Sequence, residues 1–457
     1  MKPSLTLVAI LVSLSIRLVA QADPQADAQT ASQASSQASS QADPQGAAPQ
    51  GAAQGEGGAG NLSFALTGTV DPQVAYSFQN EDSAFAGLAP YTNASALGQI
   101  DGKLSFSREY TSLGLLDFTY DDAALLSPQD GSTIESQTFT VNELYSDLNF
   151  GDLLYLRLGK QRLSWGAGYV FNPSDPVNPP KDPTNQRAIL EGVPALKAEI
   201  IAKPVSLMTF AVLYDDYTQA GYGAKLSTSA VKDSDLSLSG YWSPSQSWTG
   251  ALNASTAPFY DLPGWDTVQL WFEGSAYGEA RYEGYAPGGI PGAAETAVTQ
   301  GTQYAALLGG SAQIPTLKTV ALAEYYHLSE GLSADELAAV YKALRSANPQ
   351  VKAASSGWYA ELSRRPGREA RDYLFASLTQ ATITDDGNPV FDKIALSATC
   401  LFNLEDGSWY AFGDLGLIFV KDTSVDLTAS WAGGGADSEF GNSPTRLCLG
   451  LELKVFF

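Results

Sequence analysis

The stretch Leu447-Cys448-Leu449-Gly450-Leu451-Glu452-Leu453-Lys454-Val455-Phe456-Phe457 decides the fold. Leu447, Leu449, Leu451, Leu453, Val455 and Phe457 are apolar and stand two apart, and the residues between them include Cys448, Gly450, Glu452 and Lys454. Side chains of an extended strand alternate between its two faces. One face is therefore an unbroken apolar stripe, and the other carries a carboxylate and an ammonium. The same pattern recurs upstream. Over 268–282, Val268, Leu270, Phe272, Gly274, Ala276, Gly278, Ala280 and Tyr282 share one parity, and Gln269, Trp271, Glu273, Ser275, Tyr277, Glu279 and Arg281 share the other. Over 196–203, Leu196, Ala198, Ile200 and Ala202 oppose Lys197, Glu199 and Lys203. One such strand occurs in any half-exposed sheet, but a long series with few helices between points to an up-and-down meander.

Composition fits a membrane strand protein rather than a helical one. Hydrophobic residues are 44% and mean hydropathy is −0.09, and after residue 20 no run approaches the ~20 apolar residues of a membrane helix. A barrel hides its lipid face in every second residue, so its mean looks soluble. The 22 Tyr, 19 Phe and 8 Trp suit girdles at two bilayer interfaces. A secreted β-rich protein is the competing reading of the same composition.

The N-terminus reads as an export signal over 1–22: Lys2, an apolar stretch from Leu5 to Leu14, then Ala20-Gln21-Ala22 as a cleavage site. Removing Lys2 and Arg17 would take the net charge from −23 to −25. So acidic a chain is no nucleic-acid binder. Residues 23–60 are rich in Gln, Ala, Ser, Pro and Gly with no apolar period, and read as a disordered periplasmic linker. Cys400 and Cys448 fall on opposite faces of separate strands, so no disulfide is expected. One histidine makes a metal site improbable, and no cofactor is implied.

Residues 61–457 read as the barrel. Turn signals such as Asp71-Pro72, Asp101-Gly102, Asp130-Gly131 and Asp406-Gly407 punctuate it. At ~9–11 residues per crossing, the region predicts an all-β, antiparallel transmembrane barrel of about 16 strands, an even number between about 14 and 18. Residues 204–260 give no clean strand count. One short helix is predicted near 333–347: Ser333-Ala334-Asp335-Glu336 is a capping box, Leu337, Val340, Tyr341 and Leu344 follow at helical spacing, and Asn348-Pro349 ends it. The paired acids Asp121-Asp122, Asp215-Asp216 and Asp385-Asp386 read as turn charges.

The terminal alternation ending on Phe457 resembles the closing strand of bacterial outer-membrane β-barrels, where an aromatic C-terminus serves as the assembly signal; here Leu449, Leu451, Leu453, Val455 and Phe457 would carry it. The run Gly159-Lys160-Gln161, Trp165-Gly166-Ala167-Gly168, Asn172-Pro173-Ser174-Asp175, Asn178-Pro179 and Gly192-Val193-Pro194-Ala195-Leu196 resembles a motif of porin-like outer-membrane proteins of Gram-negative bacteria. That resemblance implies an outer-membrane location, with lipid and the barrel-assembly machinery as partners; porins of this size often form homotrimers, and the sequence shows no subunit interface.

The proline-rich loop 165–194 is stiff in its own right, since five prolines from Pro173 to Pro183 fix φ and remove donors. A connection so long is usually functional. In porins such a loop folds into the lumen and narrows it. Arg157, Arg162, Asp175, Lys181, Asp182, Arg187 and Glu191 are then the expected constriction, with Trp271, Glu273, Tyr277, Glu279 and Arg281 as further lumen lining. Opposed charges across a constriction select solutes by charge and size. The expected function is passive diffusion of small hydrophilic solutes, with no enzymatic step.

Two alternatives accompany it. One is a plugged barrel serving surface adhesion or envelope assembly, its loops including the Gly-rich stretch 432–443. The other rests on His327 and Ser329, two apart on one strand face. This pair resembles that of outer-membrane phospholipase, a hydrolase that orients its His with an Asn. That Asn has no clear match here, the nearest being Asn348 beyond the helix, and a strand count places His327 at the periplasmic end, the wrong side for that enzyme.

Overall fold

In the computed structural model the chain closes into one antiparallel barrel of 18 strands. The structure describes residues 62–457 except 87–93, 109–110, 127–132, 152, 164, 186–187, 214–216, 263–264, 381–393 and 421. The expected signal peptide and linker, Arg187, and the acid pairs at 215–216 and 385–386 lie outside the described residues.

The strands are β1 (Leu62–Gln79), β2 (Ala94–Arg108), β3 (Thr111–Leu126), β4 (Thr133–Phe150), β5 (Leu154–Gln161), β6 (Val193–Ala202), β7 (Val205–Val212), β8 (Gly221–Thr228), β9 (Ser234–Ser243), β10 (Ser247–Leu262) and β11 (Trp265–Tyr277). A small hairpin, β12 (Gly284–Pro287) and β13 (Ala294–Ala297), lies outside the barrel sheet. The barrel resumes with β14 (Gln303–Ile314), β15 (Thr319–Leu328), β16 (Asp372–Gln380), β17 (Ile394–Asn403), β18 (Trp409–Val420), β19 (Thr423–Gly433) and β20 (Thr445–Phe456). Each barrel strand pairs with its neighbour in this order, and β20 pairs with β1.

The expected 16 strands are 18. The reason is strand length: β7 and β8 have eight residues each, so 204–260, which gave no clean count, accommodates more crossings. Short connections such as 203–204 join strands at the end that holds Leu62 and Phe457. The long connections 162–192, 278–302, 329–371 and 434–444 all emerge at the opposite end, the loop end.

Alternation sets which residues face out. Phe64, Leu66, Val74, Tyr76 and Phe78 of β1 are exposed, while Asp71, between them in parity, is buried. Exposed apolar side chains continue round the wall through Leu144, Leu158, Leu196, Leu238, Leu308, Leu378 and Leu427 to Leu449 and Leu451. A continuous apolar belt on a barrel's outside is a lipid face, since soluble proteins expose no such surface. Tyr222, Trp242, Trp248, Tyr304, Tyr325 and Trp431 crown the loop end of the belt, and Phe64, Phe150, Phe259 and Trp265 edge the other. No helix among the described residues is long and apolar enough to cross a membrane. Cys400 and Cys448 are free; Cys400 has the outward parity and Cys448 Sγ, on the inner parity, accepts from Ser77.

The seam depends on one glycine. Gly68 N–H donates to the Phe457 carbonyl at 2.9 Å, Phe457 N–H donates back to the Gly68 carbonyl at 3.0 Å, and a Cβ on Gly68 would clash with the Asp101 carbonyl and the edge of the Phe457 ring. Gly68→Val should cost about 1–3 kcal/mol of overpacking and lower the temperature at which the folded barrel loses its fast gel mobility.

The expected helix is α1 (Ala334–Leu344), its Glu336 carboxylate accepting from Ser333 N–H (2.8 Å) and Ser333 Oγ (2.7 Å). Leu337, Val340, Tyr341 and Leu344 are its buried face. Two more helices follow that the sequence reading missed, α2 (Pro349–Ala354) and α3 (Gly357–Ser363). Asn348-Pro349 does not simply stop the chain: Asn348 caps α2, accepting from Gln350 N–H at 3.0 Å, with Pro349 in the first turn.

Candidate functional site: the loop-lined lumen

The 162–192 loop is held against the inner wall at two places. On the β6–β9 side, Leu163, Trp165 and Val177 bury themselves against Ala195, Met208, Phe210, Val212 and Tyr241. The Trp165 ring meets Phe210 edge-on at 5.2 Å, and Lys225 Nζ of β8 donates to the Trp165 carbonyl at 2.6 Å.

On the far side, two glutamates project inward from β11 and β15, both with fully buried side chains. Glu273 accepts from Gly168 N–H (2.5 Å), Ser174 Oγ (2.8 Å) and Ser174 N–H (3.4 Å). Glu324 accepts from three successive backbone amides, Tyr169 (2.5 Å), Val170 (2.9 Å) and Phe171 (3.4 Å), and from Trp271 Nε1 (2.9 Å). Carboxylates bonded by several N–H groups make strong, directional contacts. The Trp-Gly-x-Gly spacing becomes intelligible here. A Cβ on Gly166 would enter the Glu273 carboxylate, and one on Gly168 would enter the Phe171 carbonyl. Only bare backbone brings these amides onto the wall carboxylates. Phe171 then stacks flat on Tyr326 of β15, centroids 4.4 Å apart.

The expected constriction residues scatter over this frame. Asp175 turns inward on the loop itself, its Oδ1 accepting from Val177 and Asn178 N–H (3.0 and 2.9 Å) and its Oδ2 from Asn178 Nδ2 (2.6 Å). Burial pushes its carboxyl up to about 6. Asp182 accepts from Thr184 N–H (2.8 Å) and Thr184 Oγ1 (2.7 Å) in the same way. Lys181 Nζ donates to the carbonyls of Gly168 (3.0 Å) and Tyr169 (2.9 Å). Lys181 and Asp182, with Tyr169, Asn185 and Leu190, line a small cleft beside the loop. Arg157 points inward from β5 and is gripped by Asp147 of β4 (2.7 and 3.1 Å), its guanidinium 3.7 Å above the Tyr145 ring. Arg162 pairs with Glu143 at 3.0 Å. Glu191 is exposed and pairs with Lys160, which has the outward parity of Leu158, so this pair stands apart from the lumen.

Of the expected lining, Trp271, Glu273 and Tyr277 are inward and buried. Glu279 and Arg281 lie beyond the end of β11 in the following loop. Arg281 lies over the Tyr277 ring at 4.2 Å, and its backbone N–H donates to Glu330 at 2.8 Å.

The loops cover the mouth unevenly. The loop 329–371 with its helices packs with 434–444 and Ala84 of the β1–β2 connection into one apolar core, seated on Trp271, Leu307, Tyr326, Leu328, Phe375 and Leu401 of the wall. The sector from β2 to β5 differs. Its inward groups bond to each other: Thr119 Oγ1 to Asp101 (2.7 Å), Asn142 Nδ2 to Asp117 (3.0 Å) and to Thr119 Oγ1 (2.8 Å). Register places Asp101, Asp117, Asp121, Glu143 and Asp147 on this inner face with Lys103 and Arg157. Asp121-Asp122 is thus no turn: both lie inside β3, and Asp121 shares the inner parity of Asp117 and Thr119. The next sector is basic, with Lys197 and Lys225 on β6 and β8 beside Glu199. Opposed charges do face the lumen, but the wall supplies most of them.

His327 has the outward parity, between buried Tyr326 and Leu328. It lies at the loop end of β15, so the strand count that put it at the end of the chain termini is corrected. Its Nδ1 is 2.8 Å from Asp372 Oδ1, and its ring stacks on Tyr304 at 5.5 Å. Ser329 Oγ donates instead to Gln303 Oε1 (3.0 Å) and accepts from Tyr304 N–H (2.9 Å). Asn348 is engaged in capping α2 and orients nothing here. No group of three or more metal-ligating side chains occurs among the described residues.

No family model matches the chain, and no curated protein does. Solved structures are similar to it over most of the chain. The outer membrane protein OprD from Pseudomonas aeruginosa is 7% identical with a TM-score of 0.49, over 86% of this chain and 94% of that one. OccK8 (OprE) from Pseudomonas aeruginosa is 8% identical with a TM-score of 0.48, over 87% and 98%. A BenF-like porin from Pseudomonas fluorescens Pf-5 is 7% identical with a TM-score of 0.48, over 86% and 98%.

Proposed function

We propose that this barrel is an outer-membrane channel for passive diffusion of small hydrophilic solutes, narrowed by the 162–192 loop and running along the β2–β5 sector. The carrying observation is the row Asp101, Asp117, Asp121, Glu143 and Asp147 on an inner wall whose groups bond to one another rather than to the apolar cap. Five carboxylates against Lys103 and Arg157 make that sector negative, and charges lining a narrow path dominate selectivity. The apolar outer belt supports a setting in lipid, and the apolar row at the seam, with Leu449, Leu451 and Phe457 exposed, Leu453 half-buried and Val455 buried, is where assembly machinery would engage it. The mechanism needs no cofactor.

Osmotic swelling of liposomes holding the folded barrel tests this reading. Small cationic and neutral solutes should enter faster than anionic ones of equal size. Liposomes that swell no faster than protein-free ones would reject the channel and favour the plugged barrel, for which the apolar core across much of the mouth is the supporting observation.

A further inference from the structure

We propose that the loop cap is a proton-dependent clasp, closed when Glu369 and Glu439 share protonated burial with Tyr341 and Tyr373 and loosened when the two carboxyls ionise. Its consequence for flow rests on the channel reading; the clasp itself does not.

The two carboxyls sit where three connections meet. Glu369 precedes β16, Glu439 lies in the 434–444 loop, and Asp406 in the β17–β18 connection. Glu369 and Glu439 are both buried. Tyr341 of α1 donates to Glu369 Oε2, and Tyr373 of β16 donates to Glu439 Oε2 at 2.6 Å. Asn403 of β17 adds a second donor to Glu439 Oε2 at 2.8 Å. Glu439 Oε1 is buried with no partner. An ionised carboxylate left so is costly, whereas a neutral one is tolerated. Burial, then the neighbouring Glu369, hold Glu439 well above the usual carboxylate range, and burial pushes Glu369 up to about 7. Asp406 raises both, and its Oδ2 accepts from Glu439 N–H at 2.8 Å.

A cation, Arg365, faces Glu369. Arg365 is fully buried, 3.7 Å from Glu361 Oε1, and lowers Glu369. Its Nε and Nη1 have no hydrogen-bond partner. They form the alternative berth for Glu369 once it loses its proton, which gives the clasp two arrangements.

Loosening here would spread. The 434–444 loop ties down the β1–β2 connection through Asn80 Nδ2 to the Gly441 carbonyl (2.8 Å) and Ala84 N–H to Asn442 Oδ1 (3.0 Å). It ties α1 through Arg345 and Lys342 to Asp437. Arg368, one residue before Glu369, donates to the Lys181 carbonyl of the proline-rich loop.

The sign follows from linkage. Both carboxyls hold protons in the folded clasp that they would lose in an open one. Closed-state stability is therefore full below the ordinary glutamate range and falls as pH rises through about 7. Hydrogen exchange on the folded barrel tests this without any ion flow. After correction for intrinsic rates, amides of 404–408 and 434–444 should lose about tenfold or more protection between about pH 5 and about pH 8. Glu439→Gln should keep its protection across that range, and Glu369→Gln serves the same purpose if the first variant fails to fold. Equal wild-type protection at both pH values, or a Gln variant as pH-sensitive as wild type, would overturn the proposal.

Discussion

Glu324→Ala should set the 162–192 loop free in the lumen while the barrel stays closed. Glu324 receives three backbone amides and the Trp271 indole, so its removal strands four donors in a buried place. Hydrogen bonds to a charged group contribute about 1.5–3 kcal/mol each, and stranded donors add a desolvation cost. The contacts act as a unit and do not sum, so about 3 kcal/mol in favour of undocking is a conservative expectation. That is on the order of 100-fold more undocked loop. Strand pairing involves none of these bonds, so gel mobility of the folded barrel should persist. Protease should cut between 165 and 190 far faster than in wild type, and channel currents should become larger and noisier. Glu324→Gln keeps one acceptor oxygen and should fall between. An uncut, quiet Glu324→Ala barrel would mean that Glu273 and the Trp165 contacts suffice to hold the loop.

The second large effect is on charge selection. The triple change Asp101→Asn, Asp117→Asn, Asp121→Asn leaves Glu143 and Asp147 against Lys103 and Arg157 in the β2–β5 sector, a balanced wall. Each change is nearly isosteric, away from the loop latch, and should cost about 0.5 kcal/mol or less of stability. Cation preference should vanish, and the reversal potential in a salt gradient should fall to about zero or change sign. An unchanged reversal potential would move the path to another sector.

Much of this molecule was legible because strand periodicity is a backbone property. The terminal alternation gave the closing strand, the parity over 268–277 gave Trp271, Glu273 and Tyr277 as inward, and the Ser333–Glu336 box gave α1. Strand number was less legible, because eight-residue strands such as β7 and β8 carry too few alternations to stand out. The engagements of the loop charges were not legible for a different reason. Asp175, Lys181 and Asp182 satisfy the loop's own backbone, which only the folded loop reveals. The glutamates that fix the loop come from strands more than 100 residues away in sequence, and their donors are peptide N–H groups that leave no side-chain signature. The two glycines of Trp-Gly-x-Gly were the available signal, since each marks a place where backbone must approach something closely.

Single-channel recording of the folded barrel in a planar bilayer, with the reversal potential read in a salt gradient, tests the central claim most directly. Discrete, stable current steps and a reversal potential of the sign set by cation permeation are the predicted result. A barrel shown to be folded and inserted that passes no current, or that selects anions, would contradict a path along the acidic wall.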